Sequence, residues 1–121
     1  MGKLPAFLFY PSDWTRDLEE HSFEIRGVWI TLLCVLWWSD EKGVLVKTLP
    51  KIAKLLHVRT EKAHKLVQYL QKENIADIPT DLARIDKNTL ITIRSRRMVS
   101  DEKKRESDRK RKEKQRRNVT D

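Results

Sequence analysis

One cysteine, three glycines and no long hydrophobic run among 121 residues exclude several classes of function. A single thiol, Cys34, can form no intrachain disulfide, which fits a reducing compartment. It falls inside an apolar run, where burial is expected, so it reads as a small hydrophobe and not a nucleophile. The glycines (Gly2, Gly27 and Gly43) match neither GxxxxGK nor GxGxxG, so no loop that cradles nucleotide phosphates is encoded. His21, His57 and His64 have no cysteine pair or carboxylate cluster at ligand spacing, which argues against zinc. The longest apolar run, Val28 to Trp38, falls well short of the roughly 20 residues that span a bilayer. Lys3 precedes only a short apolar stretch, broken by Pro5 and Pro11, so no secretory signal is read there. Gly2 follows Met1, but Ala6 stands where myristoylation prefers a hydroxyl. Glu19-Glu20 and Asp40-Glu41 sit in polar segments and read as capping and solubilising charge. The expectation is a soluble, cytoplasmic protein without cofactor or metal, and not an enzyme.

What the chain does have is charge. Charged residues make up 36% and apolar residues 39%, with a net charge of +8. Residues 1–93 hold 13 Lys/Arg against 12 Asp/Glu, whereas residues 94–121 hold 13 against 6. The positive excess therefore lies in the tail. A basic tail favours polyanions, nucleic acid first and an acidic partner or membrane surface second.

The stretch from Thr48 to Ile78 carries the most information. Leu49 to His57 reads as a helix, with Thr48 as a hydroxyl cap, Pro50 in the first turn, and an apolar stripe at Ile52, Ala53, Leu55 and Leu56. A second helix, with Thr60 as its cap, places Ala63, Leu66, Val67 and Leu70 at i, i+3, i+4 and i+7. Val58 and Arg59 leave room only for a tight turn. This is the spacing of a helix-turn-helix, although a helical hairpin packed into a core has the same periodicity. Downstream, Ile75, Ile78 and Ile85 flank a polar turn at Asp86-Lys87-Asn88, and Leu90 to Ile93 reads as a short strand. The expected architecture is therefore mainly α with a small β-hairpin (α+β): a winged helix-turn-helix with an N-terminal arm and a C-terminal basic tail. The wing would carry Arg84, Lys87, Asn88 and Arg94.

Residues 1–21 read as the arm, residues 22–97 as the winged body and residues 98–121 as the tail. Leu4 to Tyr10 suggests an edge strand or extended arm, Pro11-Ser12-Asp13 a turn, and Trp14 a residue folded back onto the core. Ser22 caps a helix to about Trp38 whose apolar residues run nearly all round it, as in a central helix. Trp29, Trp37 and Trp38 read first as core anchors. Trp37 or Trp38 reaching a dimer or partner interface is the alternative, without a heptad seam to support it. Val44 to Val46 supplies a short strand. Beyond Ser95 the apolar residues are too few to bury a face, so the tail is expected outside the folded body, as an exposed helix or disordered. Its i, i+4 pairs (Asp101–Arg105, Glu106–Lys110, Asp108–Lys112, Glu113–Arg117) favour a solvated helix.

Three pieces of sequence add a resemblance: Phe9-Tyr10-Pro11-Ser12-Asp13-Trp14, Arg26-Gly27-Val28-Trp29 and Leu32-Leu33-Cys34. In this order they resemble the N-terminal domain of phage and prophage replication initiators (replisome organisers), a domain often catalogued as of unknown function. The resemblance spans about residues 5–100. It implies a winged helix suspected of origin binding, in a protein that helps load the replicative helicase, with that helicase or its loader as partner. Members commonly carry a basic tail with a Gly-rich element; here no glycine follows Gly43.

The resulting expectation is a double-stranded DNA-binding protein of phage or prophage replication initiation. A protein-interaction module on the same fold and a prophage transcriptional regulator are the alternatives. Lys62, Lys65 and Gln68 would face the groove with Arg59 near its phosphates. Thr48 and Lys51 would touch backbone from the preceding helix, and Lys87 and Arg94 from the wing. Arg109, Lys110, Arg111 and Lys112 would add affinity without sequence preference.

Overall fold

In the computed structural model, which describes residues 6–120, the Ser22 hydroxyl opens the longest apolar helix by accepting the Ile25 amide at 3.2 Å. That helix, α2 (Phe23–Trp38), follows α1 (Pro11–Leu18) and precedes strand β1 (Val44–Thr48). Helices α3 (Leu49–Leu56) and α4 (Thr60–Lys72), a 3-10 turn (Leu82–Arg84), strand β2 (Leu90–Arg94) and helix α5 (Arg96–Thr120) complete the order. The described residues are mainly helical, with five helices and a two-stranded antiparallel sheet, an α+β arrangement.

Helix α2 buries Ile25, Trp29, Leu32, Leu33, Leu36 and Trp37 along one side. They meet Ile52 of α3, Val67 and Leu70 of α4, and Ile91 and Ile93 of β2 in one core. Although apolar nearly all round, α2 is covered on one side only. Phe23, Thr31, Cys34 and Trp38 face outward, and Cys34 is exposed, not buried as its setting suggested. The reason is tertiary: α4 and β1 both pack on the same side of α2.

Both helices of the central pair end in the same way. His57 takes a left-handed conformation (φ 56°), the Val58 amide bonds the Ala53 carbonyl at 3.1 Å, and the His57 amide bonds Lys54 at 3.2 Å. Asn74 repeats it at the end of α4 (φ 58°), with Ile75 bonded to Leu70 at 3.0 Å and Asn74 to Gln71 at 3.1 Å. This double bond pattern satisfies carbonyls left open at a helix end. At the helix starts the expected hydroxyl caps are not used. Thr48 holds the cap position of α3 without a side-chain bond. Pro50, the second helical residue, removes one of the amides such a cap would reach. The cap of α4 is Arg59, one residue before Thr60, because the Arg59 carbonyl already accepts the Ala63 amide at 2.9 Å.

The sheet is not the expected hairpin. β2 occupies the predicted residues, but its partner is β1, with Leu45 opposite Ile93 and Val46 opposite Thr92. The segment around Ile75 and Ile78 contributes a single bridge, Asp77 to Arg94, on the other edge of β2. Two features keep it from lengthening. The Gln71 side chain holds the Ile78 and Thr80 carbonyls, at 2.9 Å each, and the chain then turns into the 3-10 segment.

Two corrections concern the ends. Pro11-Ser12-Asp13 begins helix α1 and not a turn, with proline in the first turn as helices tolerate. Residues 6–10 form no strand; Phe7 packs on Trp37 and Phe9 on Trp14, with ring centroids 5.8 and 5.5 Å apart, and Trp14 does fold onto the core. Leu4 and Pro5 lie outside the described residues. At the other end, the first turns of α5 belong to the folded body. Met98 is buried, Tyr10 Oη donates to Asp101 at 2.8 Å, Arg97 pairs with Asp13, and Lys42 lies 4.0 Å from Glu102. One buried methionine and a few paired charges dock a helix that composition alone would place in solvent. From Lys103 onward most of α5 is exposed.

Candidate nucleic-acid interface

Helix α4 turns three sides to three surroundings. Ala63, Leu66, Val67 and Leu70 face the core. On one flank Gln71 holds the loop carbonyls, and His64 Nε2 lies 2.9 Å from the Leu82 carbonyl oxygen, so it must donate. On the other flank Lys62 Nζ meets Glu24 of α2 at 2.9 Å, and Tyr69 Oη lies 2.7 Å from His21 Nδ1. The side left to solvent carries Glu61, Lys65, Gln68 and Lys72, at i, i+4, i+7 and i+11, all exposed. Lys65 and Gln68 therefore share the open stripe, whereas Lys62 lies on a flank, one helical step away, and is occupied by Glu24.

Further basic residues lie on the elements that precede this stripe in the chain. Lys51 and Lys54 are exposed on α3, Lys47 on β1, and Arg59 at the start of α4. From Lys47 to Lys72 the chain holds seven Lys/Arg and one acid, Glu61, although residues 1–93 as a whole are nearly neutral. The balance comes from residues 1–46, with seven acids against four Lys/Arg, and residues 73–93, with four against two. Lys47 and Lys54 were not singled out from the sequence. Lys54 was legible there, three residues after Lys51 and therefore on the same helical face. Lys47 was not, because its exposure depends on how β1 enters the sheet.

The other expected contacts divide. Thr48 is half-buried at the strand–helix junction. Lys87 is exposed in a turn that Asp86 organises: its Oδ1 accepts the Asn88 amide at 2.8 Å and the Thr89 hydroxyl at 3.0 Å. Those bonds hold the Asp86 carboxyl below the ordinary carboxylate value, the Asn88 amide contributing most. Arg94 is less available: its guanidinium lies 3.5 Å from Asp77, and its backbone makes the bridge to the same residue. On α5, Arg109 pairs with Glu106 at 3.0 Å and Arg111 with Asp108 at 3.1 Å, while Lys110 and Lys112 make no ion pair among the described residues. Of the four i, i+4 pairs expected there, only Glu113–Arg117 forms as such. Arginines reach back three residues instead, and Asp101 is taken by Tyr10.

Among the described residues no group of His, Cys, Asp and Glu is placed to hold a metal ion, and no helix is long and apolar enough to cross a membrane. Comparison with protein-family models, curated proteins and solved structures found no match for this chain.

Proposed function

We propose that the protein binds double-stranded DNA as a winged helix, presenting α4 to a major groove. The observation that carries this reading is the open stripe of α4. Lys65 and Gln68 stand clear of the body, with Lys51, Lys54 and Arg59 alongside where phosphates would run. The element order supports it: α2, β1, α3, α4 and β2, with β1 antiparallel to β2, the Asp77 bridge on the far edge of β2, and the Asp86–Thr89 turn as a short wing. Lys65 and Gln68 would read base edges; Lys51, Arg59 and Lys87 would hold phosphates. The exposed part of α5 would add salt-sensitive affinity through Lys110 and Lys112. Replication initiation at a phage or prophage origin, beside a helicase or its loader, is the cellular role that the sequence resemblance favours.

Glu61 on the same stripe is the observation that favours a second reading, a protein-interaction module, because a carboxylate repels the groove's phosphates. Fluorescence polarisation against duplex and single-stranded DNA at two salt concentrations separates the readings. Duplex preference with a steep salt dependence supports the groove model. Equal affinity for single strands, or none for either, ends it.

A further inference from the structure

Beyond its docked turns, α5 is divided lengthwise by charge. At about 3.6 residues per turn, Lys103, Lys104, Lys110, Arg111, Lys114 and Arg117 fall on one half of the helix, and no acid falls with them. The other half carries all five acids from Asp101 to Asn118, together with four Lys/Arg. Ion pairs sharpen the division. On the acid half Arg105 reaches Glu102 at 3.6 Å and Arg109 reaches Glu106 at 3.0 Å. On the acid-free half Lys103, Lys104, Lys110 and Lys114 are exposed and make no ion pair among the described residues, while Arg111 and Arg117 reach across to Asp108 and Glu113. The docking of α5 sets which half looks outward. Met98, Asp101 and Glu102, through which it meets the body, all lie on the acid half. From Ser100 onward the acid-free half is turned away from the body: Ser100, Lys103 and Lys104 are all exposed.

We infer that this half of α5 is a binding face of its own, along which the helix lies on the phosphates of a DNA duplex with its acids turned to solvent. Duplex DNA as the ligand rests on the reading proposed above; the face itself rests on residues separate from α4. The occupant follows from charge and shape. Lys103 to Arg117 is about 21 Å of rod, and a duplex presents about one phosphate charge per 1.7 Å of its axis. A major groove admits a helix between two rows of phosphates, which the cations of the acid-free half would meet while the acids stay outside. An anionic membrane is the weaker match, because no apolar residue lies between Ser100 and Asn118 to enter it. Lys110 belongs to this face and Lys112 to the other half, so Lys110 contributes more of the salt-sensitive affinity than Lys112.

The test is fluorescence polarisation of the full chain on a mixed-sequence DNA duplex over a range of salt. Two triple variants remove the same charge from opposite halves: Lys103→Ala/Lys110→Ala/Lys114→Ala and Arg105→Ala/Arg109→Ala/Arg116→Ala. The lysine variant should lower the slope of log affinity against log salt by about two to three, and weaken binding by about tenfold or more. The arginine variant should change that slope by less than about one. Ser107→Pro removes no charge but breaks the helix between Lys103 and Lys110. It should weaken binding by about fivefold or more while the melt of the body, followed by tryptophan fluorescence, stays unchanged. Equal losses in the two triple variants, or a Ser107→Pro chain that binds like wild type, mean a polycation without a face; they overturn the inference and leave the duplex reading standing. A wild-type chain that binds no duplex, with or without affinity for phosphatidylserine vesicles, overturns both.

Discussion

Gly43 holds three elements together, so replacing it with alanine tests how α5 docks. Its amide bonds the Leu36 carbonyl at the end of α2, at 3.1 Å, and its carbonyl accepts the Ser95 amide just before α5, at 2.9 Å. Its φ is +86°, which an L residue adopts at a cost of about 1 kcal/mol. A β-carbon there would lie 2.8 Å from Val99 Cγ2, 3.0 Å from the Val99 amide nitrogen and 3.3 Å from Met98 Cβ. Relief requires α5 to move, because the amide nitrogen cannot rotate away; overpacking of this kind costs about 1–3 kcal/mol. Gly43→Ala should therefore destabilise the protein by about 2–4 kcal/mol, a large share of the stability of a small domain. Urea denaturation followed by tryptophan fluorescence gives the total. Amide exchange of Ser95 to Glu102 shows whether the loss is local to the docked turns. In the double variant with Val99→Ala the closest contact disappears, so the two effects should fall short of additivity by at least about 0.5 kcal/mol. A Gly43→Ala protein within about 0.5 kcal/mol of wild type, or strict additivity, would refute the packing assigned to this junction.

His57→Gly should stabilise the protein by about 0.5 kcal/mol, seen as a rise in Tm of about 2–4 °C, because the left-handed end of α3 suits glycine better than histidine. The Asp86 carboxyl is held below its unfolded value of 3.8, so its turn contributes stability that is present above that pH and lost as pH falls through the depressed native value. Thermal melts between pH 6 and 2.5 should show Asp86→Asn losing less on acidification than wild type. Tyr10 is shifted the other way, chiefly by its bond to Asp101: its contribution is present below 10.0 and lost as pH rises through the raised native value. Tyr10→Phe should flatten that alkaline limb. Truncation after Lys104 keeps Met98, Asp101 and Glu102 in place. It should leave the melting curve within a few degrees of wild type while lowering the slope of log affinity for duplex DNA against log salt.

Local pattern alone marked α2, α3 and α4, whereas α1 was read as a turn and arm. The apolar spacing of Ala63, Leu66, Val67 and Leu70 marked α4, the Ser22 hydroxyl marked the start of α2, and β-branched runs marked β1 and β2, because each signal depends only on residues within a turn or two. For the same reason the open polar side of α4 was legible, opposite its apolar stripe. Pairing was not. β1 and β2 lie more than forty residues apart, and nothing in the Asp86 turn says which strand will lie against Leu90 to Arg94. That Lys62 is tied to Glu24, that Cys34 faces solvent, and that α5 is docked by Met98 are likewise facts of tertiary contact. A side chain's availability depends on what the rest of the chain brings beside it, and a periodicity carries no information about neighbours distant in sequence.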